Sequence, residues 1–545
     1  MNRILTLAAV FLFATSTFGE TKQRYLIATR GPAAIASQKI ARTSESNVRA
    51  FANVDAYAAD LTESEAATLK ASGEVRYLAP VVERSIASDA RPLMPVSGGS
   101  KYEKTQSVPY GIDKISARGV WTASRGAGNV NVVVADTGID YNHPDLKDRY
   151  AGGYNVYKKN NDPMDDFGHG THVAGTIAAI DNEIGVVGVA PQVRLWAVKV
   201  LNENGNGNDE SIIAGMDWVI SKKHELGGNW IVNLSLGSTL PSDVEREAFR
   251  RVIQEGIIVV AAAGNRGTGR LDVPAAYQEV LAITAINYDD TLADFSSHGP
   301  GTAFTAPGVA VLSTVPVGFG IAHDVESDSG RLYTALPLVG SSRGEITATA
   351  VNCGFGYPEQ IPANVAGKIA IVMRSPTAAE FRFRDKVLNV IQAGAAAVIV
   401  IPNDGREDRF RWTLLGEEGD QDYPWPVVLS VDQSDAQAIS VKAGSEMLTI
   451  SNRTENYAIY NGTSMASPHV AGTAALVWSL APKATAEQIR LAMKLTAFDI
   501  GAPGYDTVYG YGRVDALKAA QYVAPSEFGV PPPPPPPHNR RRPGQ

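Results

Sequence analysis

Residues 129 to 140 read NVNVVVADTGID, four valines and an alanine crowded ahead of Asp136 and a Thr-Gly pair. A run this apolar has no face to offer water, so it reads as a strand buried on both sides, as in the interior of a parallel sheet. The same texture returns in RLWAVKVL, WIVNLSLG and GIIVVAAAGN, and between these runs lie the helical stretches HVAGTIAAI and ESIIAGMDWVIS. Strands alternating with helices of crossover length predict a doubly wound α/β domain. The polar motifs ADTG, SLGS and AAGN each close an apolar run, and sites in open parallel sheets gather at the C-terminal strand ends.

Working outward, the α/β texture covers residues 106–320 and stops. Residues 321–455 are strand-rich instead, with GKIAIVMR, AAAVIVIP and WPVVLSV around one helical stretch, and the α/β pattern resumes at 456–523. A second domain is therefore inserted into the first. Ahead of both, residues 22–88 form a small α+β pattern of strand-like YLIAT, a polar middle, helical ESEAATLKASG and strand-like VRYLAPVVE. Residues 89–105, rich in Pro, Gly and Ser, read as an exposed linker of the kind that proteases nick. The tail, 524–545, carries seven consecutive prolines and is expected to be an extended, disordered spacer.

The first 19 residues have a basic start, an apolar run from Ile4 to Ala14 and small residues where a signal peptidase would cut, at Ser16 or Gly19. They predict export, because the run is shorter than the roughly 20 residues that span a bilayer. No later segment is long and apolar enough to span. The formal charge of −8 is mild and the Lys and Arg residues form no long basic patch, which argues against nucleic acid as a partner. The single cysteine, Cys353, excludes an internal disulfide and is expected to be a small buried residue.

Three separated stretches belong together. VVVADTGID places Asp136 at a strand end, GHGTHVAGTIAA places His169 at the start of a small-residue helix, and NGTSMASPHVAG places Ser464 at the start of another. A serine hydroxyl becomes a nucleophile only when a base takes its proton, and the base needs a carboxylate to hold its tautomer and stabilise its cation. Singly, such residues are ordinarily a turn former, a structural histidine and a small helix residue. Asp, His, Ser is also the chain order of subtilisin.

On these motifs the chain resembles the subtilisin-like serine proteases, or subtilases. The resemblance implies a serine endopeptidase acting on proteins or peptides, made as a self-processed precursor in which residues 22–88 are an intramolecular inhibitor and 321–455 a protease-associated (PA) domain. It makes His169 the base rather than His172, three residues on, and leaves His469 out of the chemistry. It implies Asn265 in AAAGN as the donor to the developing oxyanion, acting with the backbone N–H of Ser464. Ser235, Leu236 and Gly237, with the segment from Gly205 to Gly207, would pair with an extended substrate as neighbouring strands. Asp272 would lie near the floor of the primary specificity pocket, favouring basic side chains, with Arg266 at its rim, which would favour acidic side chains or simply pair with Asp272. A calcium site is implied on Gln106, Asp145 and the loop 180–186, with Asn182 and the carbonyls of Ile180, Ile184 and Val186 as ligands, an oxygen set of the kind calcium takes.

Two other classes fit less well. A catalytically silent binding protein predicts damage to at least one of the three motifs, and there is none. An esterase of the α/β-hydrolase type needs a Gly-x-Ser-x-Gly elbow and its histidine last, whereas Ser464 sits in Gly-Thr-Ser-Met-Ala after His169. The proline in that stretch, Pro468, is expected in the first helical turn, where its missing N–H costs little.

Overall fold

The structure is a computed structural model that describes residues 21–30, 47–86, 105–128, 130–374, 381–403 and 412–532. The segment read as a signal, nearly all of the stretch read as a linker and most of the proline-rich tail lie outside the described residues.

The chain divides after Val81 into two compact units. In the first, β1 (Gln23–Thr29), β2 (Val48–Ala50), β3 (Ala56–Leu61) and β4 (Val75–Pro80) form a sheet in the order β2-β3-β1-β4, with α1 (Glu63–Ala71) between β3 and β4. A full capping box at Thr62 and Glu65 starts α1. The polar middle read from sequence contains two strands. β3, AYAADL, is alanine-rich and so carries little β-propensity, yet all but Asp60 are buried because it pairs along the whole of β1.

The second unit opens with a short strand, β5 (Glu83–Ile86), and a helical turn, α2 (Tyr110–Lys114). Its main sheet then takes β6 (Val130–Asp136), β7 (Tyr150–Asn155), β8 (Arg194–Lys199), β10 (Asn229–Leu234), β12 (Ile258–Ala262), β13 (Leu281–Ile286) and β14 (Thr302–Pro307). The seven strands are parallel, in the order β14-β13-β12-β10-β6-β8-β7. From β6 the chain builds first to one side and then, from β10 on, to the other, so the end of β6 is the topological switch point. Every residue of β6 is buried, as its unbroken apolar run requires.

Helices α3 (His169–Ala178), α4 (Asp209–Leu226) and α5 (Asp243–Gln254) connect the strands, and two short strands, β9 (Asn206–Asn208) and β11 (Leu236–Gly237), lie off the main sheet. After β15 (Val311–Thr314) comes a closed barrel of β16 (Gly320–Ser327), β17 (Leu332–Pro337), β18 (Gly344–Asn352), β19 (Ile369–Met373), β20 (Ala397–Ile401), β21 (Val427–Val431) and β22 (Met447–Glu455). It has its own apolar core and carries α6 (Phe383–Gln392) and α7 (Gln433–Lys442). Cys353 is buried beside that core, and burial pushes its thiol up to about 11. The chain returns through β23 (Tyr457–Tyr460), paired with β15, into α8 (Thr463–Leu480).

Helix α8 is buried without interruption from Thr463 to Trp478. A helix apolar all round belongs in the middle of a large core, and Met465, Val470, Ala471, Ala474 and Leu476 lie in the same cluster as Val132 and Val134 of β6. Small residues set how close it comes: a Cβ added at Gly472 would fall 2.6 Å from Val189 Cβ.

Candidate active site

Asp136 ends β6 and is fully buried. Its Oδ1 accepts from the Thr137 amide at 2.7 Å and meets His169 Nδ1 at 2.8 Å. With the proton on Nδ1, facing the carboxylate, Nε2 carries the lone pair. Among the described residues His169 Nε2 is buried and has no hydrogen-bond partner.

The start of α3 is held against that strand end by a side chain the sequence reading passes over. Asp165, 4% exposed, accepts from Thr137 Oγ1 and from the Phe167 and Gly168 amides through Oδ1, and from the Thr171 amide and hydroxyl through Oδ2. Thr137 Oγ1 in turn accepts from the Gly170 amide at 2.9 Å. The approach is close: a Cβ on Gly170 would fall 2.1 Å from the Gly138 carbonyl oxygen and 3.2 Å from Asp136 Cβ. Only glycine at 170 lets His169 meet Asp136 at this distance.

Ser464 is the second residue of α8 and fully buried. Its hydroxyl donates to the Ser235 carbonyl at 3.0 Å. Pro468 corrects an expectation: it lies inside α8, one turn after Ser464, not in the first turn. Without an N–H it offers nothing to the Ser464 carbonyl, its i−4 partner, and that oxygen accepts from Ser235 Oγ at 2.8 Å instead. Ser235 is thereby joined to Ser464 in both directions, and its hydroxyl also accepts from Asn233 and meets Ser467 Oγ at 2.9 Å.

Asn265 follows β12. Its Oδ1 accepts from both the amide and the hydroxyl of Thr463, each at 2.9 Å. Two donors on the oxygen fix the orientation of the amide, so Nδ2 is the outward donor, and among the described residues it is buried with no partner. It lies beside the N-terminus of α8: a Cβ on Gly462 would be 3.1 Å from it.

The two further histidines of these motifs, His172 and His469, make structural contacts. His172 Nε2 points at the carbonyls of Val311 and Ala458, at 3.0 and 3.1 Å, while the ring stacks on Tyr460. His469 Nδ1 bonds the Met465 carbonyl at 2.8 Å, and its other edge packs where a Cβ on Gly111 would sit. Burial lowers both, His172 to about 3 and His469 to about 4.

The two segments expected to flank a substrate are held together by a strand from the same chain. β5 is the middle strand of a three-stranded sheet, β11-β5-β9, antiparallel to both neighbours. Ile86 faces Leu236 and Ser85 faces Gly237, while Arg84 faces Gly207 and Glu83 faces Asn208. The Ile86 amide donates to the Gly205 carbonyl at 3.1 Å, and Val82 exchanges bonds with Asp209. Asp272 lies against the glycines of this region, its Cβ 3.1 Å from a Cβ built on Gly237. Its Oδ1 accepts from Arg266 Nε at 3.2 Å, so the two pair with each other. Burial raises the Asp272 carboxyl, opposed by Arg266.

Gln106, Asp145 and the 180–186 loop also come together. Gln106 Nε2 lies 2.8 Å from the Ile180 carbonyl, 3.3 Å from Asn182 Oδ1 and 3.4 Å from the Val186 carbonyl. Asp145, fully buried, accepts from Asn182 Nδ2 and from the Val186 amide, both at 3.0 Å. Ile184 touches the cluster through its amide, which donates to Asn182 Oδ1. Among the described residues there is no group of three or more His, Cys, Asp or Glu side chains suited to a metal, so the donors here are amides and carbonyls around one carboxylate.

Comparison with known proteins identifies the family. Residues 127–333 and 407–512 match the model of the subtilase family, and residues 335–439 match the PA domain. The chain is 37% identical over 323 residues to subtilisin E of Bacillus subtilis, covering 56% of this chain and 79% of that one. It is 43% identical over 268 residues to a subtilisin of Bacillus pumilus, covering 46% and 95% respectively. Among solved structures it resembles the subtilisin-like protease Apa1 of Pseudoalteromonas sp. AS-11, with TM-score 0.54 and 32% identity over 77% of this chain and 99% of that one. Fervidolysin of Fervidobacterium pennivorans, at 22% identity and TM-score 0.58 over 93% of this chain and 62% of that one, shares the fold. The chain belongs to the subtilase family of serine endopeptidases, with a PA domain inserted in its catalytic domain.

Proposed function

We propose that this chain is a secreted endopeptidase made as a self-processed precursor, in which Asp136, His169 and Ser464 form the catalytic triad and Asn265 serves the oxyanion. The observation that carries the reading is the buried pair of His169 and Asp136, which leaves Nε2 as an unpartnered base. An extended peptide pairs between β11 and β9, through Ser235, Leu236, Gly237, Gly205 and Gly207. Ser464 Oγ then leaves the Ser235 carbonyl and gives its proton to His169 Nε2 as it attacks the scissile carbonyl. Asn265 Nδ2 and the Ser464 amide take the negative charge that develops on that oxygen. Asp136 stabilises the imidazolium, which passes its proton to the leaving amine, and water releases the acyl group by the same route.

Residues 22–88 act as the chain's own inhibitor in this reading, supported by β5, which occupies the place between β11 and β9 that a substrate strand would take. The apolar run at 4–14 supports export, and no helix among the described residues is long and apolar enough to cross a membrane. Because Arg266 already pairs with Asp272, the primary pocket offers a basic side chain a carboxylate with its charge partly used.

The test is incubation of the purified protein with a peptide library, with cut positions read by mass spectrometry. Internal cuts are expected; a library left whole overturns the reading. Asn265→Ala is expected to lower kcat by a factor of about 100 to 1000, the range known for loss of this donor in subtilisin, with KM little changed. A kcat within a few-fold of the parent would remove Asn265 from the mechanism.

The cluster at Gln106 fits calcium. Burial pushes the Asp145 carboxyl up, with only hydrogen bonds and His143 opposing. Three oxygens crowd the Gln106 amide, and rotating that amide would add a fourth, giving the hard oxygen cage that calcium favours. Gln106, Asp145, Asn182 and the carbonyls of Ile180, Ile184 and Val186 would hold the ion, which would tie three separated segments together. A chelator is then expected to lower the melting midpoint by about 5 to 10 °C, the effect of withdrawing a ligand held at about 100 times its Kd. An unchanged midpoint, or an equal shift in Asp145→Asn, would count against the site.

A further inference from the structure

Arg84 is the one cationic side chain on β5, and it is completely buried. Its Nε donates to Glu245 Oε1 at 3.0 Å and its Nη2 to Glu245 Oε2 at 2.7 Å, a two-pronged pairing in which neither side chain is exposed. Glu245 is on α5, away from the triad in sequence, and its seat is prepared. Its amide donates to Ser242 Oγ, and Tyr277 Oη donates to its Oε2 at 2.7 Å. A second buried carboxylate, Asp209, adjoins, bonded to the Val82 amide at 3.0 Å.

The register tells which substrate position this pocket reads. β5 pairs with β11 so that Ile86 faces Leu236, and a substrate strand bound in the same register would set its next residue opposite Ser235, whose carbonyl holds Ser464 Oγ. The residue facing Ser235 therefore presents its carbonyl to the nucleophile. Counting back from the scissile bond, that residue is first, the Ile86 position second, Ser85 third and Arg84 fourth.

We propose that Glu245, supported by Tyr277 and Asp209, makes this protease select an arginine at the fourth residue on the N-terminal side of the bond it cuts. The inference rests on the endopeptidase reading above and deepens it. A buried carboxylate left without its cation is costly, so a substrate that brings a guanidinium gains what a neutral one forgoes. The two-pronged geometry favours Arg over Lys, whose ammonium is a point donor. A Glu at this position would face two carboxylates and be rejected.

The test uses the enzyme obtained from the full chain and four peptides identical except for Arg, Lys, Leu or Glu at the fourth position. The expected order of kcat/KM is Arg, Lys, Leu, Glu, with Arg ahead of Leu by about tenfold or more. In Glu245→Gln the Arg and Leu peptides are expected within about twofold of each other. The parent's own ranking decides the matter if that variant does not fold. Equal cleavage of the Arg and Leu peptides overturns this inference alone, and a preference for Arg that survives Glu245→Gln removes Glu245 from it. If none of the four is cut by the parent, both this inference and the endopeptidase reading fall.

Discussion

Ser464→Ala is expected to lower turnover by a factor on the order of 10⁶, the loss that removing the serine or the histidine alone produces in subtilisin. The residue does little for stability that alanine would not. It stands second in a helix buried from Thr463 to Trp478, and its hydroxyl makes one bond, to the Ser235 carbonyl. The variant should therefore fold, and after signal removal it should accumulate with residues 22–88 still attached, because no nucleophile remains to cut the linker. Gel mobility and intact mass read this directly. Adding His169→Ala to the same chain is expected to cost almost nothing more, since residues that act as one unit lose their effect together. Processing at the normal rate in Ser464→Ala would mean that another protease matures the chain, and residual turnover within a hundredfold of the parent would remove Ser464 as nucleophile.

Much of this site is legible before folding because the chemistry and the strand ends share the same short motifs. Asp136 closes a run with no polar face, so its place at a buried strand end follows from β6 alone. His169 and Ser464 open helices whose small residues, Gly170 and Gly472 among them, announce close packing. What sequence does not reveal is whatever depends on contact between distant segments. Asp165 is one acid among several in NDPMDDFGHG, and nothing local says that it will bind both Thr137 and the start of α3. Glu245 stands in DVEREAFRRVIQ, where five neighbours are charged and the segment reads as a solvated helix. A trace was present all the same. Val244, Ala248 and Val252 form the apolar stripe of α5, and Glu245 shares that face with Phe249 one turn on, a position where an acid needs a partner. The partner, Arg84, is 161 positions away in sequence and becomes visible only when β5 is seen paired with β11 and β9.

His172 and His469 are each expected to cost the catalytic unit stability as pH falls from about 6.5 towards 4, and His143 and His323, also lowered by burial, act in the same sense. His172 is lowered to about 3, first by burial and then by the nearby His169, with the carbonyls of Ala458 and Val311 opposing. His469 is lowered to about 4 by burial, opposed by the Met465 carbonyl. In the unfolded chain each takes up a proton near pH 6.5. Between that value and the folded one the unfolded state holds the extra proton, so the contribution is whole above pH 6.5 and is lost as pH falls through the window. Each histidine weakens folding by about 1.4 kcal/mol per pH unit within it. Asp209, raised to about 6 by burial, works the other way from about pH 6 down to 4, because its folded form holds a proton that the unfolded carboxylate has lost, and Asp145 and Asp272, also raised by burial, act in the same sense. The groups oppose one another, so the contribution of one ring is read as the difference that removing it makes. Melting midpoints with and without His469 are compared in a Ser464→Ala background, which prevents self-digestion. His469→Gln is expected to gain on that parent by about 1.4 kcal/mol per pH unit as pH falls from 6.5 to 4, a shift of a few degrees in midpoint per unit. Parallel profiles for the two chains across that window would show that the His469 ring is not held neutral by its burial.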